Sequence, residues 1–170
     1  MHITNIVAKC TTTPLDLDDA FVCLTCDGYN VSKPSKFPAV FLRLEHETCA
    51  LFKTGTVTIN GIKSVRDITN VYTELWDAFS STGRRFSGPS IVNIVASFRT
   101  DNKVNLEVVS QRHKDICSYT PELSNSAEIS LEKSCKVLLH SSGNGVITGA
   151  KSVDVLNDCW FHVVNIVYWY

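Results

Sequence analysis

From Ile3 to Lys9 the side chains alternate, with Ile3, Asn5, Val7 and Lys9 on one side and Thr4, Ile6 and Ala8 on the other. Alternation with β-branched residues predicts a strand. "LDLDDAFVCLTC" (15–26) follows with acids first and apolar residues at helical spacing, which predicts a helix. "AVFLRL" (39–44), "CALFKT" (49–54) and "TVTIN" (56–60) read as three short strands, the last two joined by a turn at Gly55. Val65, Ile68, Val71, Tyr72, Leu75, Trp76 and Phe79 then recur at i, i+3, i+4 spacing, the stripe of a long amphipathic helix. The order repeats. "NIVA" occurs at 5–8 and 93–96, "NGIKSV" at 60–65 returns as "TGAKSV" at 148–153, and "KTGT" at 53–56 lies opposite "SSGN" at 141–144, all at an offset of 88. A second long helix follows through Val153, Leu156, Trp160, Val163, Val164 and Val167. This is a tandem duplication: a first repeat at 1–80, a Gly/Ser-rich connector "STGRRFSGPS" at 81–90, and a second repeat at 91–170. The expected fold is α+β, two pseudo-symmetric repeats forming one curved antiparallel sheet with helices on one face and the other face open.

Composition narrows the chemistry. Of 170 residues 44% are hydrophobic and 19% charged, a globular balance. No apolar run is long enough to cross a bilayer, and the amino terminus lacks a signal-peptide layout, so an intracellular protein is expected. The net charge is −1, with nine basic and nine acidic residues in 1–88 and seven and eight in 89–170. No basic arm is present, which argues against tight, charge-driven nucleic-acid binding. Seven cysteines at irregular spacing read as reduced, mostly buried thiols. "CLTC" at 23–26 falls on a predicted helix without a second pair at zinc spacing, so buried thiols are expected there rather than a metal site. His46 and Glu47 lack a partner for acid–base work, and no nucleophile–base constellation is visible. An enzyme, a metal and a cofactor are therefore not expected.

The two "NIVA" copies, "FPAV" with "LRL" at 37–44, "TGAKS" at 148–152 and "SYTPEL" at 118–123 resemble the conserved core of the TATA-box-binding protein family, over nearly the whole chain. The resemblance implies a saddle whose sheet sits on the minor groove and bends DNA by ~80° by inserting apolar wedges. It implies DNA contacts at Asn5, Val7, Asn93 and Val95 near the middle, at Val146 and Thr148 with Thr58 and Asn60 as their first-repeat counterparts, and at Arg43 beside a phosphate. Minor-groove edges of A·T pairs offer acceptors that an amide NH₂ satisfies, and valine tolerates either orientation. Thr58 and Asn60 stand where the family has Val and Thr, a more polar floor that relaxes A/T preference. Phe37 and Phe52 match one pair of kinking phenylalanines, whereas the second pair is replaced by Ser124 and His140. Thr56 and Asn144 replace the lysines expected after the Gly55 and Gly143 turns, leaving Lys53, Lys63 and Lys151 as candidate rim cations. Weak binding with a kink at one end is therefore expected. "SYTPEL" matches the docking site of initiation factor IIB, through Tyr119, Glu122 and Leu123. The implied partners are double-stranded A/T-rich DNA, a IIB-like factor, a IIA-like factor and, indirectly, RNA polymerase. The implied place is the nucleus, or a cytoplasmic replication site if the divergence reflects a DNA virus. The alternative reading is an interaction module that kept the fold but lost TATA binding.

Overall fold

The computed structural model describes residues 1–168; the last two positions of the predicted second repeat, 169 and 170, lie outside them. The chain divides into two compact units, Asn5–Val92 and Met1–Thr4 with Asn93 onward.

The Asn5–Val92 unit takes most of β1 (His2–Thr11), then α1 (Leu17–Cys26), β2 (Asn30–Ser32), β3 (Ala39–Arg43), β4 (Thr48–Phe52), β5 (Thr56–Ile62) and α2 (Asp67–Ala78). Its strands are antiparallel neighbours in the order β2-β3-β4-β5-β1. The other unit contains most of β6 (Ser90–Arg99), then α3 (Leu106–Arg112), β7 (Cys117–Ser118), β8 (Ser126–Ser130), β9 (Lys136–His140), β10 (Asn144–Ala150) and α4 (Val153–Tyr168). Its order, β7-β8-β9-β10-β6, is the same order again. The α+β class and the antiparallel meander expected from the repeat are thus present in each unit.

Local chemistry explains the boundaries. Asp16 caps α1, its Oδ1 accepting from the Asp18 and Asp19 amides at 2.8 and 3.1 Å. Those two bonds hold its carboxyl below the usual carboxylate range. Asn105 caps α3 in the same way, through Glu107 and Val108. At the β4–β5 turn Gly55 has φ +82°, and a Cβ there would lie 2.2 Å from the Thr12 carbonyl oxygen. Glycine is required twice over, by conformation and by space. Helix α2 begins at Asp67, so Val65, expected on its apolar stripe, precedes the helix and is exposed. The three-residue β2 and the two-residue β7 are too short to leave a period in the sequence.

In each unit one face of the strands is closed by helices. Ile6, Ala8, Leu42, Leu51, Val57 and Ile59 pack with Leu24, Val71 and Leu75 in the first unit, all buried. Ile94, Ala96, Val137, Leu139 and Ile147 do so with Val109, Leu156 and Val163 in the second. The connector is anchored to the first unit: Phe86 is buried edge-on against Phe79 and Trp76, and its carbonyl accepts from the Tyr72 hydroxyl at 2.9 Å. Arg84 donates to the Thr13 hydroxyl at 2.9 Å. Five cysteines are buried, and burial pushes Cys10 and Cys49 up to about 11 and 12, so both are neutral thiols. The "CLTC" pair departs from the buried reading: Cys23 is half-buried and Cys26 exposed, because both lie off the α1 stripe formed by Ala20 and Leu24. No helix among the described residues is long and apolar enough to cross a membrane.

Candidate nucleic-acid interface

The faces that the helices leave uncovered are built by parity. On β1 and β6 the buried positions are Ile6, Ala8, Ile94 and Ala96, which puts Asn5, Val7, Asn93 and Val95 on the uncovered side, half-exposed. On β5 and β10 Thr58, Asn60, Val146 and Thr148 take that side between buried Val57, Ile59, Gly145 and Ile147. The first-repeat residues therefore share one uncovered face and the second-repeat residues share another.

Both asparagines lie inside strands, not at strand ends. Asn5 Oδ1 accepts from the Gly61 amide at 2.9 Å, and Asn93 Oδ1 accepts from the Gly149 amide at 2.8 Å. Each glycine sits at a register shift, between Ile6 and Ala8 of β1 for one pair and between Ile147 and Ala150 of β10 for the other. Their φ values are +102° and +94°. A bulge leaves an amide without a ladder partner, and the asparagine carbonyl supplies one. An amide N–H only donates, so the bond fixes which end of the side chain is oxygen. The NH₂ group, with two donors, is left for a ligand on the uncovered face.

The rows that cross the strands differ between units. In the first, Thr11 pairs with Thr56 and Phe52 with Ala39, and Lys9, Thr58, Ala50 and Phe41 are successive partners. Phenylalanine lies opposite alanine in both rows, and Ala39 and Ala50 are buried although they face outward. Phe37, 46% exposed, completes the cluster, its ring centroid 5.4 Å from Phe41 and 6.1 Å from Phe52. In the second unit the row through the position of Phe52 runs Arg99–Asn144 and His140–Ser126, and the row through that of Phe41 runs Ser97, Val146, Leu138 and Glu128. Ser124 Oγ lies 3.0 Å from Ser126 Oγ. Lys136 pairs with Glu128. One unit thus presents three aromatic rings, the other a polar row and one ion pair.

Phe41, Arg99, Leu138 and Glu128 belong to these faces but are not among the site residues read from the sequence. Parity in "AVFLRL" places Phe41 beside Arg43, yet Val40 and Leu42 are equally apolar, so the pattern alone does not say which side is covered. Arg43 is exposed at the end of β3, opposite Thr48. Lys53, Lys63 and Lys151 are exposed. Tyr119 is half-buried just after β7, while Glu122 and Leu123 are exposed on a turn in which the Leu123 and Ser124 amides donate to Thr120 O at 3.0 and 3.1 Å. Leu123 is 85% exposed. Among the described residues no group of His, Cys, Asp and Glu is placed to hold a metal ion.

Comparison with known proteins matches this arrangement. The family model described as "Transcription factor TFIID (or TATA-binding protein, TBP)" matches residues 1–81 and 88–170. A TATA-box-binding protein of Thermococcus celer is 31% identical over 94% of this chain and 85% of its own. That of Pyrococcus furiosus is 33% identical over 89% and 81%. The solved structure of Methanococcus jannaschii TBP superposes with a TM-score of 0.80, covering 97% of this chain and 96% of its own at 22% identity.

Proposed function

This chain belongs to the TATA-box-binding protein family, and on that premise we propose that it binds A/T-rich promoter DNA through the minor groove and recruits a IIB-like initiation factor. The observation that carries the DNA reading is the pair of bulge-bonded asparagines. Their oxygens are committed to Gly61 and Gly149, so each presents only donors, next to Val7 and Val95. A·T edges in the minor groove present only acceptors, whereas G·C adds a donor that would face those donors. Val146, Thr148, Thr58 and Asn60 extend the floor, and Arg43 supplies a phosphate contact. With Thr56 and Asn144 at the lysine positions, cations are few, and each missing phosphate contact lowers the slope of log affinity against log salt by about 0.9.

The test is a titration of fluorescent duplexes at several salt concentrations. A/T-rich sites bind at least about tenfold more tightly than G/C-rich ones of the same length, an energy of ~1.4 kcal/mol within the range of one good base contact. Absence of any such preference at the lowest salt overturns the reading. Such a protein acts where the template is transcribed, in the nucleus or at a cytoplasmic replication site.

The partner reading rests on the Thr120–Ser124 turn, which holds Glu122 and Leu123 outward with no cover for the leucine. Replacing both by alanine lowers the affinity for a IIB-like protein about tenfold or more, as expected for an exposed apolar anchor, and leaves the melting temperature nearly unchanged. Calorimetric binding and a thermal melt check this. Unchanged partner affinity sinks the assignment.

A further inference from the structure

We propose that Phe41 is a positioning residue of the first unit's aromatic face: it is the ring against which Phe37 is braced, and it sets how readily that unit unstacks a base step. The inference rests on the DNA reading above and adds to the wedge a residue that acts through another.

Phe37 lies in the bend before β3, 46% exposed, its amide donating to Pro34 O at 3.3 Å and its carbonyl accepting from the Ala39 amide at 2.8 Å. Outside a strand it has no ladder partner, so its ring is held by other rings. The nearer of these is Phe41, 5.4 Å away and tilted by 31°, against 6.1 Å and 60° for Phe52. An offset pair at that separation is an attractive geometry. Phe41, by contrast, stands in the middle of β3, with Ala50 as its partner on β4 and Ser32 on β2, so that its row runs Lys9, Thr58, Ala50, Phe41 and Ser32. Both flanking side chains are small. Ala50 is buried although it faces outward, and Phe41 is half-buried. A ring fixed on a strand thus supports a ring carried by a bend.

An exposed side chain loses rotamer freedom when it inserts between bases, and a neighbour that already holds it in one position removes part of that cost from binding. The second unit lacks brace and wedge together. There the position of Phe41 holds Glu128, with Leu138 and Ser118 as cross-strand partners and Lys136 as its ion partner, and that of Phe37 holds Ser124, whose Oγ lies 3.0 Å from Ser126 Oγ. The two repeats change at both positions at once, as a pair of residues working through one another would.

The experiment uses the full chain and an A/T-rich duplex in which a single 2-aminopurine, whose emission rises when it unstacks, is moved from step to step. A second duplex carries a T·T mismatch at the step that responds. Phe41→Leu keeps an apolar side chain over Ala50 but no flat ring; it loses roughly half or more of the wild-type rise and binds the matched duplex about fivefold less tightly, the size of one aromatic pair. On the mismatched duplex the loss shrinks to about twofold or less, because that step is already partly unstacked. Phe41→Tyr, which keeps the ring, keeps both the rise and the affinity. Added to Phe37→Ala, Phe41→Leu lowers affinity by no more than about twofold further, since the two rings act as one. The ratio of matched to mismatched affinity is taken within each variant, so a lowered folded fraction cancels. Unchanged emission and affinity in Phe41→Leu, an equal loss on both duplexes, additive losses with Phe37→Ala, or wild-type binding without a rise at any step overturns the brace. Failure of the wild type to bind either duplex overturns the DNA reading itself, a separate result.

Discussion

Replacing Asn5 and Asn93 together by aspartate lowers affinity for an A/T-rich duplex by roughly 100-fold while the protein remains folded with a melting temperature close to that of the wild type. The substitution is isosteric, and its two effects separate cleanly because the two ends of the side chain do different work. One carboxylate oxygen still accepts from Gly61 or Gly149, the bond that closes each bulge. A charged acceptor strengthens such a bond. The other end changes from a double donor to an anion facing the acceptors of the groove. A lost base contact costs about 1–3 kcal/mol per site, or roughly tenfold and upward, and two sites compound. Alanine acts differently, leaving a buried-side amide unpaired at ~1–3 kcal/mol and confounding stability with binding. Anisotropy titrations beside thermal melts check the pair. Wild-type affinity in the double aspartate variant would mean that the amides do not meet the bases.

The offset of 88 carried most of the architecture into view. Two copies of one order of strands and helices were legible because the apolar periods are strong, and Ile6, Ala8, Ile94 and Ala96 are buried as the alternation requires. The asparagine and valine positions were legible for the same reason, since parity fixes a face once its opposite is known. What the asparagines bond to was not. Their glycines lie 56 residues away, and the bulges that align them arise only when β1 meets β5 and β10 meets β6. Phe41 and Glu128 escaped because their strands read as apolar or polar on both sides, whereas Arg99 lies in parity with Asn93 and Val95 on β6 but past the end of the repeated motif. The covered face is set by where α1, α2 and α4 pack, a tertiary fact.

The polarity of the two uncovered faces decides more than base preference. In the first unit the residues over the outer strands are rings that shield alanines, so the face is apolar yet incompletely buried, a surface that gains by inserting into something. In the second, Glu128 is paired with Lys136, and the polar His140 stands opposite the polar Ser126. Desolvating them against a base stack would cost without return.

On the proposed DNA reading, bending should depend on the first unit alone, so Phe37→Ala or Phe52→Ala is expected to abolish it, whereas His140→Ala changes it little. Phe37 and Phe52 are within ring contact of one another, 6.1 Å between centroids, so each props the other in a wedge position and neither acts alone. Unstacking a base step costs a few kcal/mol, offset by ring–base stacking of ~1–3 kcal/mol per base. Removing one ring leaves that balance unfavourable, and the duplex stays straight. Both rings are part-exposed, so the variants are expected to stay folded, which circular dichroism checks. Energy transfer between end-labelled duplexes reads the bend directly: wild type gives a value well below the family's ~80°, and the two phenylalanine variants give the free-duplex value. The converse variant, Ser124→Phe with His140→Phe, installs rings at the matching positions of β9 and the turn before β8 and increases the bend toward the family's value. Equal losses from His140→Ala and Phe52→Ala would show that both units kink DNA, and that the polar row is no less a wedge than the aromatic one.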